Sequence, residues 1–222
     1  DDRIVLSENL SGDAVVDILQ QAGETNAQSV RYFTNAIDST TKGVDIVATY
    51  RFDVNGLGEA GFGSLTLNAA ANINDTEVTH IKDNPAELAA LGDSYQYFAR
   101  REVARFEQGT PKNKVNLSAT WDYNDWSTTL RATRYGEVVD VSSNPENDEV
   151  LAAKWITDVE VSYQANENWT VSVGANNLFD QYPQDTVNNI GFSNFNQIFT
   201  YSPFTPYSLD GRFVYGNVSY RF

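Results

Sequence analysis

The sequence contains no cysteine and no methionine, and its only histidine is His80. Without cysteine there is no disulfide framework, no thiolate metal site and no thiol nucleophile. A single histidine cannot build a His-rich zinc site, and no glycine-rich phosphate loop of the GxGxxG or Walker type is present. We therefore expect no resident metal ion and no other cofactor.

Positive charge is scarce. Lysine and arginine total 15 against 30 aspartate and glutamate residues, for a formal net charge of −15. Affinity for a phosphate backbone is supplied mainly by lysine and arginine. The composition thus disfavours a nucleic-acid partner.

Long apolar runs are also missing, since no stretch approaches the 18 consecutive apolar residues of a transmembrane helix. Transmembrane β-strands give a much weaker signal, because residues facing lipid alternate with residues facing the lumen. The missing runs exclude a spanning helix and leave a spanning strand open.

Alternation with a period of two is the dominant pattern in the chain. In "GVDIVATYRF" the apolar Val44, Ile46 and Ala48 share one face, while Asp45 and Thr49 lie on the other. Such segments are typical of strands with one apolar and one polar face. The predicted strands are 3–10, 28–53, 64–74, 114–123, 126–133, 155–164, 169–177 and 211–222.

The connections between these strands alternate between short and long. The long ones are residues 11–27, 77–110, 137–152 and 181–210. In an antiparallel meander this places every long connection at one end of the sheet, as in outer-membrane barrels. A soluble β-sandwich stays open as an alternative, because it alternates apolar and polar faces too. The barrel is favoured by polar faces rich in Ser, Thr and Asn, by Trp and Tyr beside the short turns, and by the sided loop lengths.

Four stretches resemble the C-terminal part of TonB-dependent outer-membrane receptors. They are "RYFTNAIDSTTKGVDIVATYRF", "FEQGTPKNKVNLSATWDYNDWSTTLRATRYGEV", "VSVGANNLFDQYPQD" and "GRFVYGNVSYRF". The step from Asn177 to Asp180 is the most specific of these motifs. The stretches occur in the family's order and cover most of the chain.

The resemblance implies an all-β antiparallel meander of about eight strands, the C-terminal part of a roughly 22-stranded transmembrane barrel. Residues 1–222 would form one segment of that barrel, with the plug domain and the first strands outside this chain. Eight strands at that curvature cannot close, and open edges are not tolerated in hydrocarbon. We therefore expect the segment to belong to a larger polypeptide or assembly.

The implied function is active transport across the outer membrane of a Gram-negative bacterium. A scarce nutrient (a siderophore, cobalamin or an oligosaccharide) would bind at the external loops and enter with energy supplied by TonB through the plug. Membrane lipid, lipopolysaccharide, the barrel-assembly machinery and the remainder of the barrel are the other implied partners. The alternative is a self-contained eight-stranded outer-membrane barrel that acts as an anchor or adhesin.

Two external connections hold the candidate substrate contacts. Aromatic rings concentrated in a water-facing loop could stack on a sugar or a chelator, and arginines could meet an anionic substrate or the phosphates of lipopolysaccharide. The aromatic candidates are Phe192, Phe195, Phe199, Tyr201, Phe204 and Tyr207. The basic candidates are Arg100, Arg101 and Arg105. Packing of the aromatic residues against neighbouring loops is the competing interpretation.

The terminal strand carries a further expected role. The resemblance implies that Val218, Tyr220 and the final Phe222 form the signal for barrel assembly, with the apolar residues facing lipid. Asp158 and Glu160 share a polar face, but such carboxylates are ordinary in a wet lumen, so no catalytic residue is predicted. His80 is expected to be solvated in a loop. The acidic segment 140–149 is expected to be a solvated loop rather than a Ca²⁺ site.

Overall fold

The computed structural model describes residues 2–6, 10–30, 33–54, 61–83, 98–142, 144–187 and 200–222. Its main element is one antiparallel sheet of eight strands, in which each strand pairs with the strand of the same sheet that follows it in the sequence. The strands are β1 (Asp2–Leu6), β4 (Phe33–Asp53), β5 (Ser64–Ile81), β6 (Asn113–Tyr123), β7 (Trp126–Tyr135), β10 (Lys154–Gln164), β11 (Trp169–Asn176) and β12 (Phe213–Tyr220). The predicted eight-stranded meander is confirmed.

Short elements fill the long connections. They are β2 (Leu10–Ser11), α1 (Asp13–Gln21), β3 (Ser29–Val30), α2 (Arg100–Glu107), β8 (Val138–Asp140), a 3₁₀ turn (Pro145–Asn147) and β9 (Glu149–Leu151). The strands β2 and β3 pair with each other, as do β8 and β9. Neither described helix has the length or the apolar content needed to cross a lipid bilayer.

One face of the main sheet is apolar and uncovered. Val44, Ile46, Val173 and Val214 are between 55% and 68% exposed, although all four are β-branched aliphatic residues suited to burial. A sandwich would bury them under a second sheet. In the described ranges the other two sheets have only two strands each. This arrangement fits a face turned towards lipid and not the sandwich alternative.

The opposite face carries a polar network that crosses the strands. The Thr49 hydroxyl donates to Asn68 Oδ1 at 2.9 Å, and the Asn68 amide donates to Ser118 Oγ at 3.3 Å. Further along the sheet, the hydroxyls of Ser162 and Ser172 lie 2.8 Å apart. Cross-strand hydroxyl and amide pairs of this kind stabilise a sheet while staying compatible with water. This face has the character of a lumen.

Aromatic pairs mark the short-turn end of the apolar face. Ring centroids lie 4.6 Å apart for Trp126 and Tyr163, and 4.7 Å apart for Trp169 and Tyr220. Trp121 stacks on its strand neighbour Tyr123 at 5.8 Å. Trp and Tyr concentrate at membrane–water interfaces because each ring combines an apolar body with a polar tip. The predicted placement of aromatic residues beside the short turns is confirmed.

The end of β5 differs from the sequence prediction. The connection expected to begin at residue 77 begins after Ile81, because β5 continues through "EVTHI". His80 therefore lies in a strand, paired with Asp38, and not in a loop. Along residues 74–80 most side chains on both faces are polar, so the alternation that predicts a strand from the sequence disappears.

The sheet stays open in the part of the chain that the structure describes, since its order runs from β1 to β12 without a pair between these two strands. A self-contained eight-stranded barrel would require that pair. The open sheet therefore does not support the anchor or adhesin alternative.

Candidate functional site

The candidate functional site lies at the end of the sheet that carries the long connections, where β4 and β5 extend beyond β6. Pairing between β5 and β6 ends at Ile73 and Asn113, so residues 74–81 of β5 continue above the sheet. Helix α2 packs against this extension, and Glu107 Oε1 accepts a hydrogen bond from the backbone N–H of Val78 at 2.9 Å. The helix thereby satisfies a strand amide that β6 does not reach.

A small apolar core joins the two helices to this extension. Leu10, Val15, Ile37 and Phe98 are its buried members, with Ile37 fully enclosed. The alternation along β4 places Ile37 on the same side as Thr49, which is the polar side of the sheet. The external elements accordingly fold over the lumen and not over the apolar face.

Arg100 is held by the hairpin β8–β9. Its guanidinium forms two hydrogen bonds with the Asp148 carboxylate and donates a third to the carbonyl of Ser142. Bidentate pairs of this kind fix both partners in one plane. The hydrogen bond from Arg100 lowers the pKa of Asp148, and the Ser142 backbone N–H, which also donates to that carboxylate, adds to the effect.

Asp140 is a buried carboxylate within the candidate site. Its side chain is only 2% exposed, and its Oδ2 accepts a hydrogen bond from the Ser202 hydroxyl at 2.6 Å. Burial raises the pKa of Asp140, and the nearby Glu149 adds to this rise. The hydrogen bond from Ser202 and the charges of Arg101 and Arg105 act in the opposite direction.

Arg105 connects the two candidate sets from the sequence. Its guanidinium carbon lies 5.8 Å from the centre of the Phe204 ring, within cation–π range. The same group contacts Glu102 Oε1 at 3.4 Å. The structure thus brings a basic candidate from one connection onto an aromatic candidate from another, about a hundred residues later in the chain.

The other two described aromatic candidates, Tyr207 and Tyr201, each pack on a further tyrosine. Tyr207 packs on Tyr135 with ring centroids 5.8 Å apart, and Lys114 Nζ lies 4.8 Å from the centre of the Tyr135 ring. Burial raises the pKa of Tyr207. Tyr201 stacks on Tyr182 at 6.5 Å.

The remaining aromatic candidates, Phe192, Phe195 and Phe199, lie outside the residues that the structure describes. Arg101 is half-buried, and its charge reaches Asp140. The assembly candidates Val218, Tyr220 and Phe222 are all exposed on the apolar side.

The segment 140–149 is only in part the solvated loop that the sequence predicts, since residues 144–147 are exposed and the two ends are buried. Asp140 and Glu149 are 2% and 6% exposed, because β8 and β9 pair them across a hairpin beneath α2 and the segment at Ser202. No group of three or more acidic or histidine residues in the described ranges is arranged to hold a metal ion. The buried pair was missed because its cover comes from distant parts of the chain.

The polar wall of the sheet holds a second cluster. Tyr215 lies opposite Gly174, and its hydroxyl reaches across that glycine to donate to Glu160 Oε2 at 2.7 Å. A β-carbon at Gly174 would come within 2.5 Å of the tyrosine ring. Asp158 faces Arg131 at 3.9 Å. Both carboxylates have structural partners in the sheet.

The opposite pKa shifts of Asp140 and Asp148 predict a pH dependence for the hairpin. The folded state raises the pKa of Asp140. As the pH falls from that raised pKa towards the ordinary carboxyl pKa, the folded protein binds the proton first, so protonation of Asp140 favours the folded state. The depressed pKa of Asp148 means that the Arg100 pair persists above the ordinary carboxyl pKa and is lost as the pH falls through the lowered value. We expect amide exchange in 138–151, corrected for its intrinsic pH dependence, to slow from neutral pH towards about pH 4.

The variant Asp140→Asn is the control for that measurement, since its side chain keeps a similar shape and cannot titrate. Its corrected exchange rate should stay flat over the same interval. A wild-type rate that rises steadily on acidification would contradict the assignment of the two shifts.

Residues 1–178 match the family model described as TonB dependent receptor-like, beta-barrel. The match ends within the Asn177–Asp180 step and does not include the terminal strand. No curated protein sequence gives a match.

Solved structures share the fold at low sequence identity. The copper transporter OprC superimposes with a TM-score of 0.55 at 16% identity, over 100% of this chain and 27% of that one. The FrpB iron transporter from Neisseria meningitidis (F3-3 variant) gives 0.52 at 15% identity, over 86% and 25%. The ferric yersiniabactin uptake receptor FyuA from Yersinia pestis gives 0.51 at 18% identity, over 86% and 25%. The chain spans about a quarter of the length of these structures.

Proposed function

We propose that this chain, which belongs to the TonB-dependent receptor-like β-barrel family, forms wall, external loops and terminal strand of an outer-membrane active transporter. The chain is located in the bacterial outer membrane, in keeping with the family and the exposed apolar face. A scarce nutrient binds at the external loops and is imported with energy that TonB supplies. The family match over residues 1–178 is the observation that carries this proposal.

The rest of the protein enters the proposal as partners. Residues 1–222 are one segment of a barrel of roughly 22 strands, whose remaining strands and plug domain lie outside the chain. The plug makes the contact with TonB, and the barrel-assembly machinery inserts the protein. Membrane lipid covers the apolar face, and lipopolysaccharide surrounds its outer rim.

The substrate class is a siderophore, cobalamin or an oligosaccharide. The similar structures are named for copper, iron and ferric yersiniabactin, so a ferric siderophore is the first class to test. The substrate contacts are proposed among the aromatic and basic residues of the external loops. Tyr201, Phe204 and Tyr207 are the described aromatic members of that set. Asp158 and Glu160, the two carboxylates that share a polar face, are engaged by other residues of the sheet.

The test is an uptake measurement with the intact protein in its own outer membrane. Cells with and without the gene, each with and without TonB, are given radiolabelled ferric siderophores, cobalamin or oligosaccharides. We expect accumulation of one class that requires both the protein and TonB. An intact protein that is present in the membrane and mediates surface attachment, with no uptake dependent on TonB, would support the anchor or adhesin instead.

A further inference from the structure

We propose that helix α2 is a clasp that holds the hairpin β8–β9 and the segment 200–207 in one fixed arrangement over the lumen. In this arrangement Arg105 and Asp140 are positioning residues for the aromatic segment. The role of this segment in substrate binding rests on the proposed function, whereas the clasp itself rests on contacts within the chain.

The helix is anchored on its inner side. Val103 and Phe106 pack against the buried core of the external elements, and the Phe106 ring lies 6.0 Å from that of Phe98. At the end of the helix, Glu107 binds the backbone of β5 at Val78. An element attached both to a core and to a strand of the main sheet can serve as a fixed support for its neighbours.

The first set of contacts joins the region of α2 to the hairpin β8–β9. Arg100 binds the Asp148 carboxylate with two hydrogen bonds, and the Val139 backbone N–H donates to the Gln108 carbonyl at 3.1 Å. These contacts attach both sides of the hairpin to the helix region. Because Arg100 is engaged in this way, its charge is already paired within the protein.

The aromatic segment 200–207 is contacted both by α2 and by the hairpin. Arg105 lies over the Phe204 ring, while Asp140 accepts the hydrogen bond of the Ser202 hydroxyl. Ser202 Oγ in turn accepts a hydrogen bond from the Phe204 backbone N–H at 3.1 Å. Ring and backbone of the same residue are therefore held by the helix and by the hairpin together.

Burial keeps the Asp140 carboxylate from substrate, whereas Arg105, whose side chain is 36% exposed, positions the segment through the Phe204 ring. Asp140 is 2% exposed, so a ligand in the lumen cannot reach its carboxylate. Arg105 is shared between Glu102 and the Phe204 ring. Removing a partner from a buried polar network leaves an uncompensated group, so each member depends on the others.

The experiment measures amide hydrogen exchange of the peptide 200–207 in the intact protein. Arg105→Gln removes the charge over Phe204, and we expect exchange in this peptide to become about tenfold faster. Arg105→Lys keeps a cation and should restore most of the protection. Lys112→Gln breaks an exposed ion pair with Asp75 outside the clasp and should leave the peptide unchanged.

A double-mutant cycle tests the Asp140 contact. Ser202→Ala and Asp140→Ala should each accelerate exchange of the peptide, and the double variant should be no faster than the faster single variant. The clasp would be wrong if Arg105→Gln and Ser202→Ala both left the peptide unchanged. It would also be wrong if exchange rose equally in the strands of the main sheet, because the effect would then be general unfolding.

Uptake separates the clasp from the proposed function. For the class of substrate that the wild type imports, Arg105→Gln should raise the KM for uptake several-fold with little change in the maximal rate, and Arg105→Lys should return the KM towards the wild-type value. An unchanged KM beside faster exchange would show that the segment 200–207 is held but is not a substrate contact, which overturns the positioning role. If the wild type imports none of the classes, the proposed function fails while the exchange result still decides the clasp.

Discussion

The variant Ile46→Lys is expected to lose roughly 2–4 kcal/mol of barrel stability, which is the cost of a lysine near the bilayer midplane on a lipid-facing position. Ile46 lies on the apolar face and is 55% exposed, about midway between the aromatic end of β4 and its polar extension. A lysine there would have to leave water or distort the bilayer. Urea unfolding of the intact protein in lipid vesicles measures the change.

Val47→Lys is the matched control. Val47 is the neighbouring residue, is also β-branched and is 77% exposed, but it lies on the polar side of the same strand. A lysine at this position faces water and should change the stability by about 0.5 kcal/mol or less. Equal losses for the two variants would show that the apolar face does not contact lipid.

The second large effect is expected at the end of the chain. Removal of Phe222 should lower the amount of protein assembled in the outer membrane several-fold, because Val218, Tyr220 and Phe222 are proposed to form the assembly signal. Phe222 is fully exposed, and its ring meets the edge of the Tyr220 ring with centroids 5.0 Å apart. Its loss should therefore change the stability of the assembled barrel little.

Two measurements separate assembly from stability for this variant. Immunoblots of outer-membrane fractions give the amount assembled, and urea unfolding of the assembled fraction gives its stability. Arg221→Ala, on the polar side, should assemble normally. A Phe222 deletion that assembles at the wild-type level would refute the role of the terminal residue.

The architecture of the sheet could be predicted because it depends on a local pattern. Residues two apart share a face, so the faces of Ile46 and Val47 are fixed by position alone once a strand is recognised. The alternation of loop lengths then orders the strands into a meander. The extension of β5 through His80 was missed because Asp75, Glu77 and Thr79 occupy the positions that continue the apolar face. These residues are polar, so the sequence no longer shows the alternation.

The contacts of the candidate site could not be predicted in the same way. Arg100 and Asp148 are 48 residues apart, and Asp140 and Ser202 are 62 residues apart. No periodic pattern relates such positions, since their meeting depends on how several connections fold over one another. The sequence could indicate that arginines and aromatic residues are concentrated in external connections, but not that Arg105 would lie over Phe204.

The extension of β5 beyond β6 has a consequence for engineering the receptor. Residues 74–81 present a strand edge whose backbone groups would be open to pairing with another chain if nothing covered them. Helix α2 provides the cover, and Glu107 caps the amide of Val78 at 2.9 Å. The connection that carries α2 thus protects this strand edge against edge-to-edge aggregation, in addition to joining β5 to β6. Exchanging it for the loop of another receptor would uncover that edge, so this connection is not an interchangeable module.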